Sequence, residues 1–237
     1  MALARLQAQI TSEIDGSPQL ILMTAHTRAA VDVFMQKLVH HISQIDPTSA
    51  KDWFSRVVYV TNHESSIAPH QDIHVLPMAK KHADKTRDFV TTLDSNEGII
   101  VCGTTVALKK FLNKPEVLER LSTHQRSLLV DEASMLPMLD TSFALSLLTE
   151  GLDLHARRLS LSPGSVLLIG DHLQLGTFES LKRRYSTGRD WDKSLFSELL
   201  DSEKHYRLGL SAVALTRTWR LNAVILPYLL PSQFLFN

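Results

Sequence analysis

The chain has 237 residues, of which 44% are hydrophobic and 21% are charged, and its 25 basic and 25 acidic residues cancel. This composition excludes collagen-like, low-complexity and strongly disordered classes, and the neutral total gives no global electrostatic case for nucleic acid. A single cysteine, Cys102, excludes an internal disulfide and a zinc site built from cysteines. Apolar stretches fall far below the roughly 18 residues that span a bilayer. We therefore expect a soluble protein of the cytoplasm or nucleus, with no membrane partner.

The hydrophobic pattern predicts alternating helices and strands along the chain. Amphipathic helices are expected at 2–14 and after the first strand, and a charged helix around 78–93. Five apolar runs predict buried strands at 19–24, 56–60, 98–104, 127–131 and 165–171. Strands that alternate with helices in this way indicate an α/β fold, a mostly parallel sheet with helices on both faces.

In such a sheet, ligands bind beyond the carboxyl ends of the strands. Asp131 and Glu132 end the fourth predicted strand, where a phosphate-bound Mg²⁺ needs a rigidly held carboxylate. Gly170 and Asp171 end the fifth and lead to Gln174, whose amide can sense a γ-phosphate. Two alternatives stay open: the acidic pair caps a helix or solvates a turn, and Asp171 caps a helix while Gln174 faces water.

Several short segments occur in a fixed order: TAHTRAAVD at 24–32, CGTT at 102–105, DEAS at 131–134, GDHLQLG at 170–176, SLFSELL at 194–200 and LTRTWRLN at 215–222. They resemble, respectively, motif Ia, the next nucleic-acid-contacting segment, motif II, motif III, the following helix and motif IV of superfamily 1 helicases. The resemblance is to the branch that includes the nonsense-mediated-decay helicase. It implies a RecA-like P-loop NTPase fold that couples Mg-ATP hydrolysis to movement along RNA or DNA.

The resemblance also implies roles for individual residues in nucleotide binding and hydrolysis. Asp131 would hold Mg²⁺, Glu132 would orient the attacking water, and Gln174 would couple the γ-phosphate to the nucleic-acid side. Arg220 would reach the γ-phosphate from a second domain; a surface arginine packed on Trp219 is its alternative. The nucleotide-binding set is completed by Gly170 and Asp171.

Four residues are expected to contact single-stranded RNA or DNA: Thr27, Arg28, Thr104 and Thr105. Their alternative interpretation is that they cap the amino ends of helices. His26 and Arg28 depart from the family, since relatives tend to have Pro and Asn there, and Arg28 is able to pair with a phosphate. The sequence does not distinguish RNA from DNA, and it leaves protein partners unknown.

The family's phosphate cradle has the form GxxxxGK[ST], and this chain contains no Gly-Lys-Ser or Gly-Lys-Thr. We expect an incomplete fold: a first RecA-like domain at 1–208 without its P-loop strand, and the start of a second at 209–237. ATP binding by these residues alone should then be very weak and turnover negligible. Two other functions stay open, a catalytically inactive helicase-like module for nucleic-acid binding or protein docking, and an unrelated α/β nucleotide-binding or hydrolase domain.

A group of histidines lies between the second and third predicted strands, at His63, His70, His74 and His82. A zinc site built from histidine alone is chemically feasible, but no cysteine or carboxylate fixes its geometry. The pattern therefore favours a solvated loop.

Overall fold

A computed structural model of the chain describes residues 18–45, 50–62, 70–79, 82–93, 97–150, 165–171 and 194–206. The helix predicted at 2–14 lies outside these residues, as do Gln174, Arg220 and the predicted second domain at 209–237. The chain divides into two compact units, Met1–Glu198 and Leu199–Asn237. Only 199–206 of the second unit are described, so the domain boundary placed at 208 stays a prediction.

The described residues form one parallel sheet and seven α-helices. The strands are β1 (Gln19–Ala25), β2 (Val57–Thr61), β3 (His74–Pro77), β4 (Ile99–Gly103), β5 (Gln125–Asp131) and β6 (Ser165–Leu168). The helices are α1 (Arg28–Ile45), α2 (Ala50–Ser55), α3 (Ala83–Thr92), α4 (Thr105–Leu112), α5 (Pro115–Leu121), α6 (Met138–Ser146) and α7 (Leu195–Tyr206), and a single 3₁₀ turn covers Ala133–Met135. None of the helices in this part of the chain is long and apolar enough to cross a membrane.

The sheet has the strand order β3-β2-β4-β1-β5-β6, and every neighbouring pair is parallel. The predicted α/β class with a mostly parallel sheet is therefore confirmed. The predicted number of five strands is wrong, because β3 adds a sixth at the outer end. Its four residues lie in the histidine-rich stretch predicted as a solvated loop, and its outer position leaves His74 exposed, so its apolar pattern is short and weak.

β1 lies near the centre of the sheet and is buried along all 7 residues. Its sequence QLILMTA is a nearly continuous apolar run because helices cover both faces of the strand. The helix that follows, α1, packs on one face through residues spaced three or four apart. These residues are Val31, Phe34, Met35, Leu38 and Ile42, and all of them are buried, as the sequence predicted.

The hydrophobic core has one half on each face of the sheet. On one face, α1 and α2 pack against strand residues such as Ile21 and Ile100. On the other face, α3, α4, α5 and α6 pack around Leu22, Val101 and Phe111. Successive residues of a strand point to opposite faces, so β1 contributes to both halves. The predicted placement of helices on both faces is confirmed.

The parallel register brings the strand ends together along one edge of the sheet. Ala25 of β1 lies opposite Asp131 of β5, and Val130 lies opposite Leu168 of β6. We call this the carboxyl edge; its residues are Thr104 and Thr105 after β4, Thr27 and Arg28 after β1, Asp131 and Glu132 at β5, and Gly170 and Asp171 after β6. The four predicted segments therefore follow one another across adjacent strands.

At the opposite edge, a buried histidine directly precedes β5. His124 is 1% exposed, and its Nε2 lies 3.1 Å from the carbonyl oxygen of Glu97. Nδ1 finds no hydrogen-bond partner among the described residues. Burial lowers the pKa of His124; the hydrogen bond to Glu97 opposes this effect, and the charges of Arg126 and Arg120 add to it.

His124 should make the protein less stable in mild acid. Because its folded pKa is lowered, the unfolded chain binds a proton near the ordinary value of about 6.5 while the folded chain does not. The free energy of unfolding should therefore fall between about pH 7 and pH 5, by at most about 1.4 kcal/mol per pH unit for one proton. Urea denaturation across this pH range should show that the free energy of unfolding of His124→Gln depends less on pH than that of the wild type. A control variant at an exposed histidine of α1, His40→Gln, should keep the wild-type slope, and equal slopes for all three proteins would contradict the assignment.

Candidate functional site

The turn that follows β5 has a strained backbone. Asp131 Oδ1 accepts a hydrogen bond of 3.0 Å from the backbone N–H of Glu132. Glu132 has φ 54° and ψ 34°, and it is the one non-glycine residue with positive φ within the described ranges. This left-handed conformation costs roughly 1–2 kcal/mol for a residue with a Cβ atom. Such strain is found preferentially at functional sites, where the surrounding structure enforces it.

The turn after β5 is joined directly to the loop after β6. The backbone N–H of Ala133 donates to the carbonyl oxygen of Ile169 at 2.8 Å. The backbone N–H of Asp171 donates to Ser134 Oγ at 3.2 Å. A Cβ atom on Gly170 would lie 2.8 Å from the backbone nitrogen of Ser134, so a side chain does not fit between the two segments. We call this arrangement the β5–β6 junction.

The β5–β6 junction brings two predicted nucleotide-binding segments together. The carboxylates of Asp131 and Glu132 are half-buried, while Gly170 and Asp171 are exposed. Because the segments are hydrogen-bonded to each other, the positions of Gly170 and Asp171 depend on the turn that carries Asp131 and Glu132. Gln174, three residues further on, lies outside the described residues.

The donor set at the junction fits magnesium held partly by a phosphate. Mg²⁺ prefers oxygen ligands and is commonly bound by one or two carboxylates together with substrate phosphates. Asp131 has the required group on a rigid strand end. No group of three or more His, Cys, Asp or Glu side chains suited to a metal occurs in the part of the chain that the structure describes.

The predicted nucleic-acid contacts lie on the β4 and β1 side of the carboxyl edge. The three threonines among them also make hydrogen bonds within the protein. Thr27 Oγ1 accepts from the N–H of Ala30 at 3.1 Å, and Thr104 Oγ1 caps α4 by accepting from Ala107. The hydroxyl of Thr105 lies 3.1 Å from that of the buried Thr24. The helix-cap interpretation thus applies to Thr27 and Thr104. A hydroxyl that accepts a capping bond retains its own donor, so capping does not prevent a contact to phosphate.

Arg28 belongs to a cluster of three polar side chains. Its Nε lies 3.7 Å from Asp32 Oδ2, one turn along α1. The other carboxylate oxygen, Asp32 Oδ1, accepts a hydrogen bond of 2.5 Å from the hydroxyl of Tyr59 in β2. Burial first, and then Asp32, raise the pKa of Tyr59 to about 12, so its hydroxyl stays protonated and continues to donate.

Three residues of the site were given no individual role from the sequence: Ser134 and Asp32, which lie within the quoted motif segments, and Tyr59, which does not. Asp32 lies four residues after Arg28, a spacing that indicates a helical ion pair once the helix is predicted. Ser134 and Tyr59 contact residues far along the chain, and no local pattern indicates such contacts. Their roles depend on which strands are neighbours in the sheet.

The strain at Glu132 predicts an inverted order of stability for two replacements. Glycine adopts positive φ at little cost in free energy, so Glu132→Gly should be more stable than Glu132→Ala by about 1 kcal/mol. In an ordinary helix the order is reversed, and Glu119 on the exposed side of α5 provides the matched pair, Glu119→Gly and Glu119→Ala. Urea denaturation of the four variants measures both differences. The same order at the two positions would contradict the left-handed conformation of Glu132.

No protein-family model matches this chain, and no curated protein matches it. The resemblance to helicases therefore depends on the short motifs and on their order.

Proposed function

We propose that this chain carries the first RecA-like domain of a superfamily 1 helicase-type ATP hydrolase, a P-loop NTPase fold. Its cofactors are ATP and Mg²⁺, and its partner is single-stranded RNA or DNA. The observation that carries the proposal is the β5–β6 junction, in which Asp131-Glu132 and Gly170-Asp171 lie at the ends of adjacent parallel strands. The two chain segments are joined there by the hydrogen bonds of Ala133 and Ser134. The six-stranded parallel sheet is compatible with the proposed fold.

The chemistry assigned to the site depends on positions and charges. Asp131 would supply an oxygen ligand for the metal, and Glu132 would accept a hydrogen bond from the attacking water and so orient it. Bound Mg²⁺ would neutralise negative charge on the phosphates. The hydrogen bond from the N–H of Glu132 fixes one oxygen of Asp131, which limits the freedom of the carboxylate. Gln174 and Arg220 complete the proposed set through the motif resemblance alone.

On the nucleic-acid side, Thr27 and Arg28 are the better placed of the four predicted contacts. Thr27 is exposed beside the start of α1, and the side chain of Arg28 is 38% exposed. Thr104 and Thr105 are half-buried, and the latter is paired with Thr24. We therefore assign the main backbone contact to the β1 side of the carboxyl edge.

One sequence observation favours a second function. The 237 residues contain no GxxxxGK[ST] cradle. Without its backbone N–H groups and lysine, triphosphate binding is weak, because these groups hold the β- and γ-phosphates. A catalytically inactive module that binds nucleic acid or docks on a protein is the alternative that fits this absence.

ATP hydrolysis with and without single-stranded RNA and DNA distinguishes the two functions. The assay compares the 237-residue chain with the protein expressed from the whole open reading frame that contains it. Where that reading frame extends beyond the 237 residues and encodes the cradle, we expect strand-stimulated hydrolysis by its product and negligible hydrolysis by the 237 residues alone. An in-frame GxxxxGK[ST] upstream of Met1 would support the motor proposal. If the protein from the whole reading frame binds single-stranded nucleic acid without hydrolysing ATP, the inactive module is favoured. Absence of both activities would overturn both proposals.

A further inference from the structure

We propose that Asp32 is a positioning residue that restrains Arg28 and thereby weakens the hold of this protein on single-stranded nucleic acid. The inference depends on the proposed function, because it concerns the same nucleic-acid contact. Asp32 is not among the four predicted nucleic-acid contacts. Its carboxylate competes directly with the phosphate for the guanidinium group of Arg28.

Each of the two oxygens of the Asp32 carboxylate contacts a different side chain. One oxygen is held by the hydroxyl of Tyr59 at 2.5 Å, and the other lies 3.7 Å from Arg28 Nε. Tyr59 is 3% exposed in β2, so its ring is held by the core and its hydroxyl is a fixed donor. Asp32 therefore cannot follow Arg28 freely towards solvent.

Partial exposure of the contact sets the size of the effect. Arg28 Nε itself is buried, whereas the whole side chains of Arg28 and Asp32 are 38% and 41% exposed, so water partly screens their attraction. A phosphate that approaches Arg28 has to compete with the carboxylate for the same cation. Removal of the carboxylate should therefore strengthen strand binding by a small factor, about threefold, the range expected of an exposed ion pair.

Salt dependence provides a readout that a purely structural role would not change. Each phosphate that is neutralised on a single strand contributes about 0.7 to the slope of the logarithm of affinity against the logarithm of salt concentration. Asp32→Asn should make that slope steeper, by less than about 0.7, because the carboxylate no longer competes with the phosphate for Arg28. Arg28→Gln should make it shallower, and the two changes together should amount to about 0.7, the contribution of one phosphate contact.

The experiment measures binding of the 237-residue chain to fluorescein-labelled oligouridine and oligothymidine by fluorescence anisotropy, from about 50 to 200 mM salt. The proteins are wild type, Asp32→Asn, Arg28→Gln and the double variant. Asparagine keeps an oxygen that can accept from Tyr59, and Asp32→Ser replaces it if circular dichroism shows that Asp32→Asn is unfolded. An exposed carboxylate on α3, changed by Asp88→Asn, controls for the gain of one unit of net charge.

The double variant decides whether Asp32 acts through Arg28. We expect Asp32→Asn to tighten binding about threefold in the wild-type background and to have little effect when Arg28 is already glutamine. Equal tightening in both backgrounds, or equal tightening by Asp88→Asn, would overturn the inference and show a general charge effect. Absence of measurable binding by the wild-type chain would also overturn it, whereas hydrolysis by the product of the whole reading frame would leave the proposed function standing.

Discussion

Asp131→Asn is expected to lower ATP turnover by the protein expressed from the whole reading frame by about 10²–10³-fold. The change keeps the size of the side chain and the oxygen that can accept from the N–H of Glu132. It removes the negative charge that the proposed metal contact requires. Because phosphoryl transfer depends mainly on positioning and charge stabilisation, this loss should affect the rate more than the fold.

The matched control for this prediction is Asp88→Asn, which removes an exposed carboxylate of α3. It should leave turnover within about twofold of wild type, as expected of a surface change away from the site. Circular dichroism and thermal unfolding establish that the Asp131 variant is folded. Full activity in a folded Asp131→Asn protein would contradict the assignment of Asp131 as the metal ligand.

Arg126→Met is expected to lower the free energy of unfolding by roughly 3 kcal/mol. Arg126 is 4% exposed at the start of β5. Its Nη1 donates to the carbonyl oxygens of Leu147 at 3.0 Å and Glu150 at 2.6 Å, just after α6 ends. Methionine fills similar space but donates nothing, so these carbonyl groups would lose a charged donor. A thermal midpoint lower by about 6–12 °C should result for a chain of this size.

A variant at an exposed arginine tests whether loss of charge alone explains the effect on stability. Arg87 on α3 is 69% exposed and lies 3.9 Å from Asp84. Because exposed ion pairs contribute at most about 1 kcal/mol, Arg87→Met should shift the midpoint only slightly. Similar midpoints for Arg126→Met and wild type would show that the carbonyl contacts at the end of α6 do not stabilise the fold.

The sequence predicted those elements whose side chains have a strong period. β1 is a continuous apolar run, and α1 has an apolar residue every third or fourth position, so each has one consistent interpretation. β3 has only 4 residues, begins with an exposed His74 and ends at Pro77. An outer strand of this kind needs few apolar residues, because only part of it is buried, and its pattern therefore resembles a loop.

The same reasoning explains which parts of the site were predictable. A parallel sheet aligns the ends of its strands, so the positions of Asp131 and Asp171 along one edge follow from the assignment of their strands. The hydrogen bond from the N–H of Asp171 to Ser134 requires that β5 and β6 are neighbours, and the bond from Tyr59 to Asp32 requires that β2 lies near β1. Strand order is a property of the whole sheet, and five apolar runs do not specify it.

The all-parallel arrangement also makes the two edges of the sheet electrically unequal. α1 and α4 follow β1 and β4 directly, so both helices begin at the carboxyl edge. The peptide dipoles of a helix add up to roughly half a positive elementary charge at its beginning. The carboxyl edge therefore carries partial positive charge from the backbone, in a protein whose side chains have no net charge. The topology thus sets partial positive charge of the backbone beside the carboxylates of Asp131, Glu132 and Asp171, which the composition alone does not reveal.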